Sequence, residues 1–169
     1  MAVATIIGDK EFIPRKGFKK CLIEVIRKII IENNISIFLV NYGDYFTKYC
    51  LKIIKDLKKE FSFLKVIQIR DAEVFSVEVY NKFIAKYVDE IIRPKSLENL
   101  GLYEYYECHK YAIDNSICAL FYYNKNCRLP IMAYWYGDKP EEKFSIRGVY
   151  SYAESQKKKI INVFDLNKI

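Results

Sequence analysis

Two hydrophobic periods take turns along the first 70 residues, and together they leave few folds open. Residues 3–7 form a short β-rich run closed by Gly8. Phe18, Cys21, Leu22, Val25, Ile26, Ile29 and Ile30 then recur at three- and four-residue spacing, the stripe of an amphipathic helix that runs to about Glu32. Asn33-Asn34 stop it. Residues 36–40 are again an apolar run of strand length, followed by the turn Asn41-Tyr42-Gly43-Asp44. A second helix buries Phe46, Tyr49, Cys50, Ile53, Ile54 and Leu57, and residues 64–69 make a third strand. Strand, helix, strand, helix, strand is the pattern of βαβ units. The fold class expected is therefore α/β: a three-layer, Rossmann-like fold with a mainly parallel central sheet flanked by helices, its crossovers right-handed.

The second half is less regular. Residues 74–85 predict a helix with Val77, Phe83 and Ile84 inward, and residues 87–92 a short strand ended by Pro94, whose ring removes a backbone donor. Residues 103–115 predict a helix and 117–122 a further main strand. Residues 129–136 are rich in β-formers and read as an added strand or hairpin arm before Gly137-Asp138-Lys139-Pro140. Ser145 is placed to cap a last helix through Lys157, and residues 159–164 form a final strand. With no repeat or linker, the 169 residues are expected to form a single domain.

Several chemistries are set aside by composition. The five cysteines (Cys21, Cys50, Cys108, Cys118, Cys127) are odd in number and have no C-x-x-C pair, so neither a disulfide framework nor a zinc site is expected. One histidine, His109, leaves metal chemistry little to work with; it sits in a predicted helix without a nucleophile partner at usable spacing, and a packed or surface role is expected. No metal, no cofactor and no catalytic residue are assigned. Apolar runs are broken by charges well short of a membrane span, and the N-terminus lacks the basic flank and cleavage site of a signal peptide; a cytoplasmic protein without a membrane partner is expected. The net charge of +7 hints at a polyanionic partner, but many lysines fall where solvated helix faces and helix ends put them.

In an open parallel sheet, ligands bind beyond the carboxyl ends of the strands, where the strand order reverses. With these strands, the rule selects Gly8, Asp9 and Lys10, then Asn41, Tyr42, Gly43 and Asp44, the loop after Tyr122, and the start of the last helix at Arg147 and Gly148. Helix N-termini there offer backbone N–H groups and a positive dipole end suited to phosphate. Lys10 and Arg147 add charge; Asp9 and Asp44 either bind ribose hydroxyls or cap helices. Tyr103, Tyr105 and Tyr106 either stack on bases or pack at a core edge or a protein interface. Neither G-x-G-x-x-G nor G-x-x-x-x-G-K-[ST] occurs, which removes dinucleotide dehydrogenases and P-loop NTPases, and H-E-x-x-H and G-x-S-x-G are absent too.

Three stretches resemble the SLOG superfamily, the Rossmann-like group that includes the LOG nucleotide hydrolases and a DNA-processing protein. Ala4-Thr5-Ile6-Ile7-Gly8-Asp9-Lys10-Glu11-Phe12 looks like the family's first strand and its Gly-His-Arg-x-Phe turn. Phe38-Leu39-Val40-Asn41-Tyr42-Gly43-Asp44-Tyr45-Phe46 looks like its second strand and the Gly-x-Gly-x-Phe-Asp turn. Tyr87-Val88-Asp89-Glu90-Ile91-Ile92-Arg93-Pro94, residues 110–116, Tyr152-Ala153 and residues 158–163 follow the second half, in the manner of small stand-alone bacterial members. The departures are specific. His-Arg is Asp9-Lys10 here, Asn41 stands for a glycine, Ile146-Arg147-Gly148 replaces Gly-Gly-Ala, and the hydrolase signature Pro-Gly-Gly-x-Gly-Thr is missing.

The resemblance implies a non-catalytic binding or sensor domain for a nucleotide or nucleotide-derived small molecule. Three other readings stay open: a degenerate fold acting through protein contacts, a nucleotide N-glycosidic hydrolase using Asp9, Asp44 or Asp114, and a single-stranded DNA binder. A homodimer through the face of the last helices is plausible, and nucleic acid is the less favoured partner.

Overall fold

The computed structural model describes residues 1–9, 12–41, 44–70, 82, 86–98, 104–126 and 145–168. Six strands, β1 (Ala2–Gly8), β2 (Ile35–Val40), β3 (Lys65–Ile69), β4 (Glu90–Ile92), β5 (Cys118–Tyr122) and β6 (Lys159–Asn162), form one sheet in the order β4-β3-β2-β1-β5-β6. Every pairing is parallel. The helices described are α1 (Phe18–Asn33), α2 (Tyr45–Leu57), α3 (Glu104–Asp114) and α4 (Ile146–Ser155). The expected α/β, Rossmann-like arrangement is what the chain adopts, with a sheet that is parallel throughout the described residues.

Alternation along the strands sorts the side chains into two cores, because successive residues of a strand face opposite ways. Ala4 and Ile6, Phe38 and Val40, and Cys118, Leu120 and Tyr122 join Phe18, Leu22, Ile26, Phe46, Ile53 and Ile54 of α1 and α2 in one cluster. Ile7, Ala119 and Phe121 face the other way, onto Ile113 of α3 and Val149, Tyr150 and Ala153 of α4. Leu39 and Ile69 meet Cys108 and Ala112 of α3 there as well. The sheet is thus covered on both faces, which is why its strands read as nearly continuous apolar runs.

Local signals account for the boundaries. α1 starts at Gly17 in a left-handed conformation (φ 89°) and ends at Asn34, also left-handed (φ 51°), as Asn-Asn predicted. Ser145 caps α4 as expected: its Oγ accepts from the Gly148 N–H at 3.3 Å. The short strand expected over 87–92 begins only at Glu90, because Asp89 turns its carboxylate onto the Val66 N–H (2.7 Å) and Lys58. The helix predicted over 74–85 falls almost wholly outside the described residues, and the arm over 129–136 does so entirely.

Candidate functional site

Strands β2, β3 and β4 are laid down successively on one side of β1, whereas β5 and β6 lie on its other side. The order therefore reverses between β1 and β5, and the helices α1 and α4 that follow them in the described residues pack on opposite faces. Gly8 pairs with Tyr122 across this seam, and the Asp9 N–H donates to the Tyr122 carbonyl at 3.2 Å. Beside it, at the end of β2, Asn41 is buried. Asp9, Asn41 and the start of α4 therefore sit at one edge of the sheet. Lys10, Tyr42 and Gly43 lie outside the described residues.

Gly8 is needed for a different reason from the one expected of a turn glycine. It is the last strand residue, and the first turn of α2 presses on it. A Cβ there would stand 2.5 Å from Asp44 Oδ1 and 2.8 Å from Phe46 Cδ1, and closer still to Phe46 Cβ. Only a residue without a side chain lets α2 approach the sheet this closely.

Of the two roles open to Asp44, the geometry displays the cap. Oδ1 accepts from the Thr47 N–H and Oδ2 from the Thr47 hydroxyl, both at 2.6 Å. Burial pushes this carboxyl up from its ordinary value, opposed by the Thr47 hydroxyl and by the Thr47 and Gly8 amides. Six residues on, burial drives the Cys50 thiol well up, and the Asp44 charge adds to it; a thiol so held is not a nucleophile at neutral pH. The Gly148 amide at α4 is likewise engaged by Ser145. Two of the helix starts expected to offer donors to phosphate already use them internally, and at α2 the cap is itself acidic.

α1 differs. Its N-cap Gly17 supplies no side-chain hydrogen bond and its first turn has no acid, while Arg15, Lys16, Lys19 and Lys20 are exposed around it. This basic helix start, with its positive dipole end, was missed by sequence reasoning because it lies nine residues beyond the strand. The Arg-Lys-Gly-Phe-Lys-Lys run was the available signal. Also missed were Gln68 and Arg70 at the carboxyl end of β3, fully buried and 8% exposed, with Arg70 Nε donating to Gln68 Oε1 at 3.2 Å. Two polar residues of one parity in an apolar strand were the sign.

The seam between β1 and β5 is lined with rings on the α1 face. Phe12 is the hub: its ring centroid lies 4.8 Å from Tyr122, 5.3 Å from Phe46 and Tyr49, and 5.6 Å from Phe18. Asn167, from the turn Phe164–Lys168 that follows β6, donates to the Tyr122 hydroxyl at 2.8 Å.

Other candidates are dispersed. Arg147 is exposed on the first turn of α4. Asp114 ends α3 at the opposite, amino edge, where its carboxylate accepts from the Tyr152 hydroxyl at 2.7 Å; it is not gathered with Asp9 and Asp44. His109 is packed, 2% exposed, and burial lowers its pKa to about 3, so it is neutral at pH 7. Tyr103 is outside the described residues, and Tyr106 packs edge-on against Tyr152. Cys50, Cys108 and Cys118 are buried thiols and Cys21 an exposed one. Among the described residues no His, Cys, Asp and Glu side chains cluster in a metal-binding group, and no helix is long and apolar enough to cross a membrane. An apolar groove of about 410 Å³ opens at the amino edge between Met1, Ile31, Phe61 and Phe63. No protein-family model matches the chain, and comparison with curated proteins gives no match.

Proposed function

We propose that the chain is a non-catalytic binding domain, a sensor of SLOG type, for a nucleotide or nucleotide-derived ligand held at the carboxyl edge of the sheet. The observation that carries this reading is the reversal of strand order between β1 and β5, with Gly8, Asp9, Asn41 and the start of α4 at that same edge. The uncapped start of α1, ringed by Arg15, Lys16, Lys19 and Lys20, is the better phosphate locus, because the caps of α2 and α4 already occupy donors there. Asp9, Lys10, Asn41, Tyr42, Gly43 and Arg147 complete the proposed site. A hydrolase reading is less well supported: Asp44 is engaged as a cap and Asp114 stands at the far edge.

The test is a thermal-shift screen against nucleoside mono-, di- and triphosphates, cyclic dinucleotides and ADP-ribose derivatives. A ligand at about a hundred times its Kd contributes roughly 2.7 kcal/mol to the folded state. A dose-dependent rise in Tm that is lost in Lys16→Glu and Arg147→Glu is expected. No shift across the panel would overturn the reading.

The groove beside Met1, Ile31 and Phe63 favours a second reading, a protein-interaction role. Ile31 is 59% and Phe63 57% exposed, and such apolar surface is what self-association covers. Sedimentation at micromolar concentration, compared with Phe63→Glu, distinguishes the two: a dimer lost in the variant, with no nucleotide response, selects the second.

A further inference from the structure

Residues 12–17 run from the end of the β1 loop to α1 with no helix or strand of their own, yet they are pinned at both levels of the structure. Below, Phe12 is 6% exposed and fills the slot between Phe18, Phe46, Tyr49 and Tyr122. Above, Asn167 grips the backbone: its Oδ1 accepts from the Arg15 N–H and its Nδ2 donates to the Ile13 carbonyl, each at 2.9 Å. The same Nδ2 donates to the Tyr122 hydroxyl at 2.8 Å, so strap, latch and floor are joined at one side chain. Around these points the segment is open: Ile13 is 77% exposed, residues 14–17 are exposed, and the left-handed Gly17 has nothing within 4 Å of where a Cβ would stand. Glycine at that φ gives the chain a pivot just before α1.

We propose that residues 12–17 form a strap, latched by Asn167, whose opening controls access to the ring-lined seam beside Gly8 and Asp44. Closed, Phe12 covers Tyr122 and Phe46, which flank Gly8 directly. Opening breaks the Asn167 contacts and withdraws Phe12 from the rim of the α1-face core, while the strand pairings and the core on the other face stay intact. A segment without helix or strand hydrogen bonds, held by one ring and one latch, opens at lower free energy than the paired strands beneath it. The strap stands independently of the nucleotide reading, since it concerns what shields the seam and not what enters it.

The experiment is hydrogen exchange of the Arg15 amide, followed by NMR in the full chain and in Tyr122→Phe and Asn167→Asp. Both variants leave the Arg15 N–H its acceptor, so faster exchange reports opening and not merely the loss of that bond. Tyr122→Phe removes only the hydroxyl that accepts from Asn167; Asn167→Asp removes both Nδ2 contacts and sets a carboxylate against the Ile13 carbonyl. Exchange is expected to rise about threefold and about tenfold respectively, with β1, β2 and β5 amides unchanged. Trypsin cleavage after Arg15 and Lys16 is expected to accelerate in the same order. Arg15 exchange within a factor of about 1.5 of wild type in Tyr122→Phe, or Arg15 exchanging only together with the strand amides, would overturn the latch. Tyr122→Phe keeps every ring in place, so the test holds even where Asn167→Asp does not fold.

Discussion

Two residues concentrate physical demands that the chain as a whole conceals. Gly8 is fixed by the 2.5 Å and 2.8 Å distances a Cβ would have to Asp44 and Phe46, neither of which is the loose end of a flexible chain. Gly8→Ala is expected to cost about 1–3 kcal/mol, the usual range for overpacking, and urea denaturation measures it. The sequence marked Gly8 as special but not why: a turn glycine and a packing glycine look alike until the following helix is placed. His109 is the second case. Its lowered pKa, about 3 against the ordinary 6.5, comes from burial alone. Between these two pH values the unfolded chain binds the proton and the folded chain does not, so stability present above pH 6.5 falls as pH drops toward 3. A His109→Phe or His109→Gln variant should show a flatter stability profile between pH 6.5 and 4 than the parent. An imidazole that titrates near 6.5 by NMR would contradict this.

At the scale of elements, helix starts decide what the carboxyl edge can hold. Asp44 satisfies α2 from within, with both carboxylate oxygens on Thr47, and Asp44→Ala is expected to lose about 1–2 kcal/mol. Asp44→Asn, which keeps an oxygen acceptor, should lose less in the same denaturation experiment. Because burial raises the Asp44 carboxyl, the folded chain holds that proton more firmly, and this residue favours folding more as pH falls through its folded value. Asn at this position removes that contribution, opposite in sign to that of His109. Strong periodicity made α1, α2 and their strands readable from sequence to within a few residues, and Ser145 announced α4 by its capping chemistry. The basic start of α1 was hidden because the nine-residue loop separates it from β1. The aromatic plug was hidden because Phe12 has no periodic neighbour; only the fold brings it to Tyr122 and Asn167.

For the whole molecule, the alternating pattern specified layers and sheet type, whereas the strand order rests on pairings that no local pattern encodes. β1 bonds to β2 through one helix, but its other edge waits for β5. That wait has a cost during synthesis. At roughly 5–20 residues per second, β5 leaves the ribosome about 5–20 s after β1. Over that interval the strand that will become the centre of the sheet has an apolar, unpaired edge, the kind of surface on which chains pair with the wrong partner. A chain stopped at residue 116 should therefore aggregate where the full chain stays dispersed, as light scattering of the two at equal concentration would reveal. Complete folding, needing a contact between segments so far apart, should be slow for a domain of this size. The seam proposed as the binding site is thus a late join, followed in the sheet only by that of β6 to β5, and the proposed site is unfinished in a newborn chain until its far half arrives.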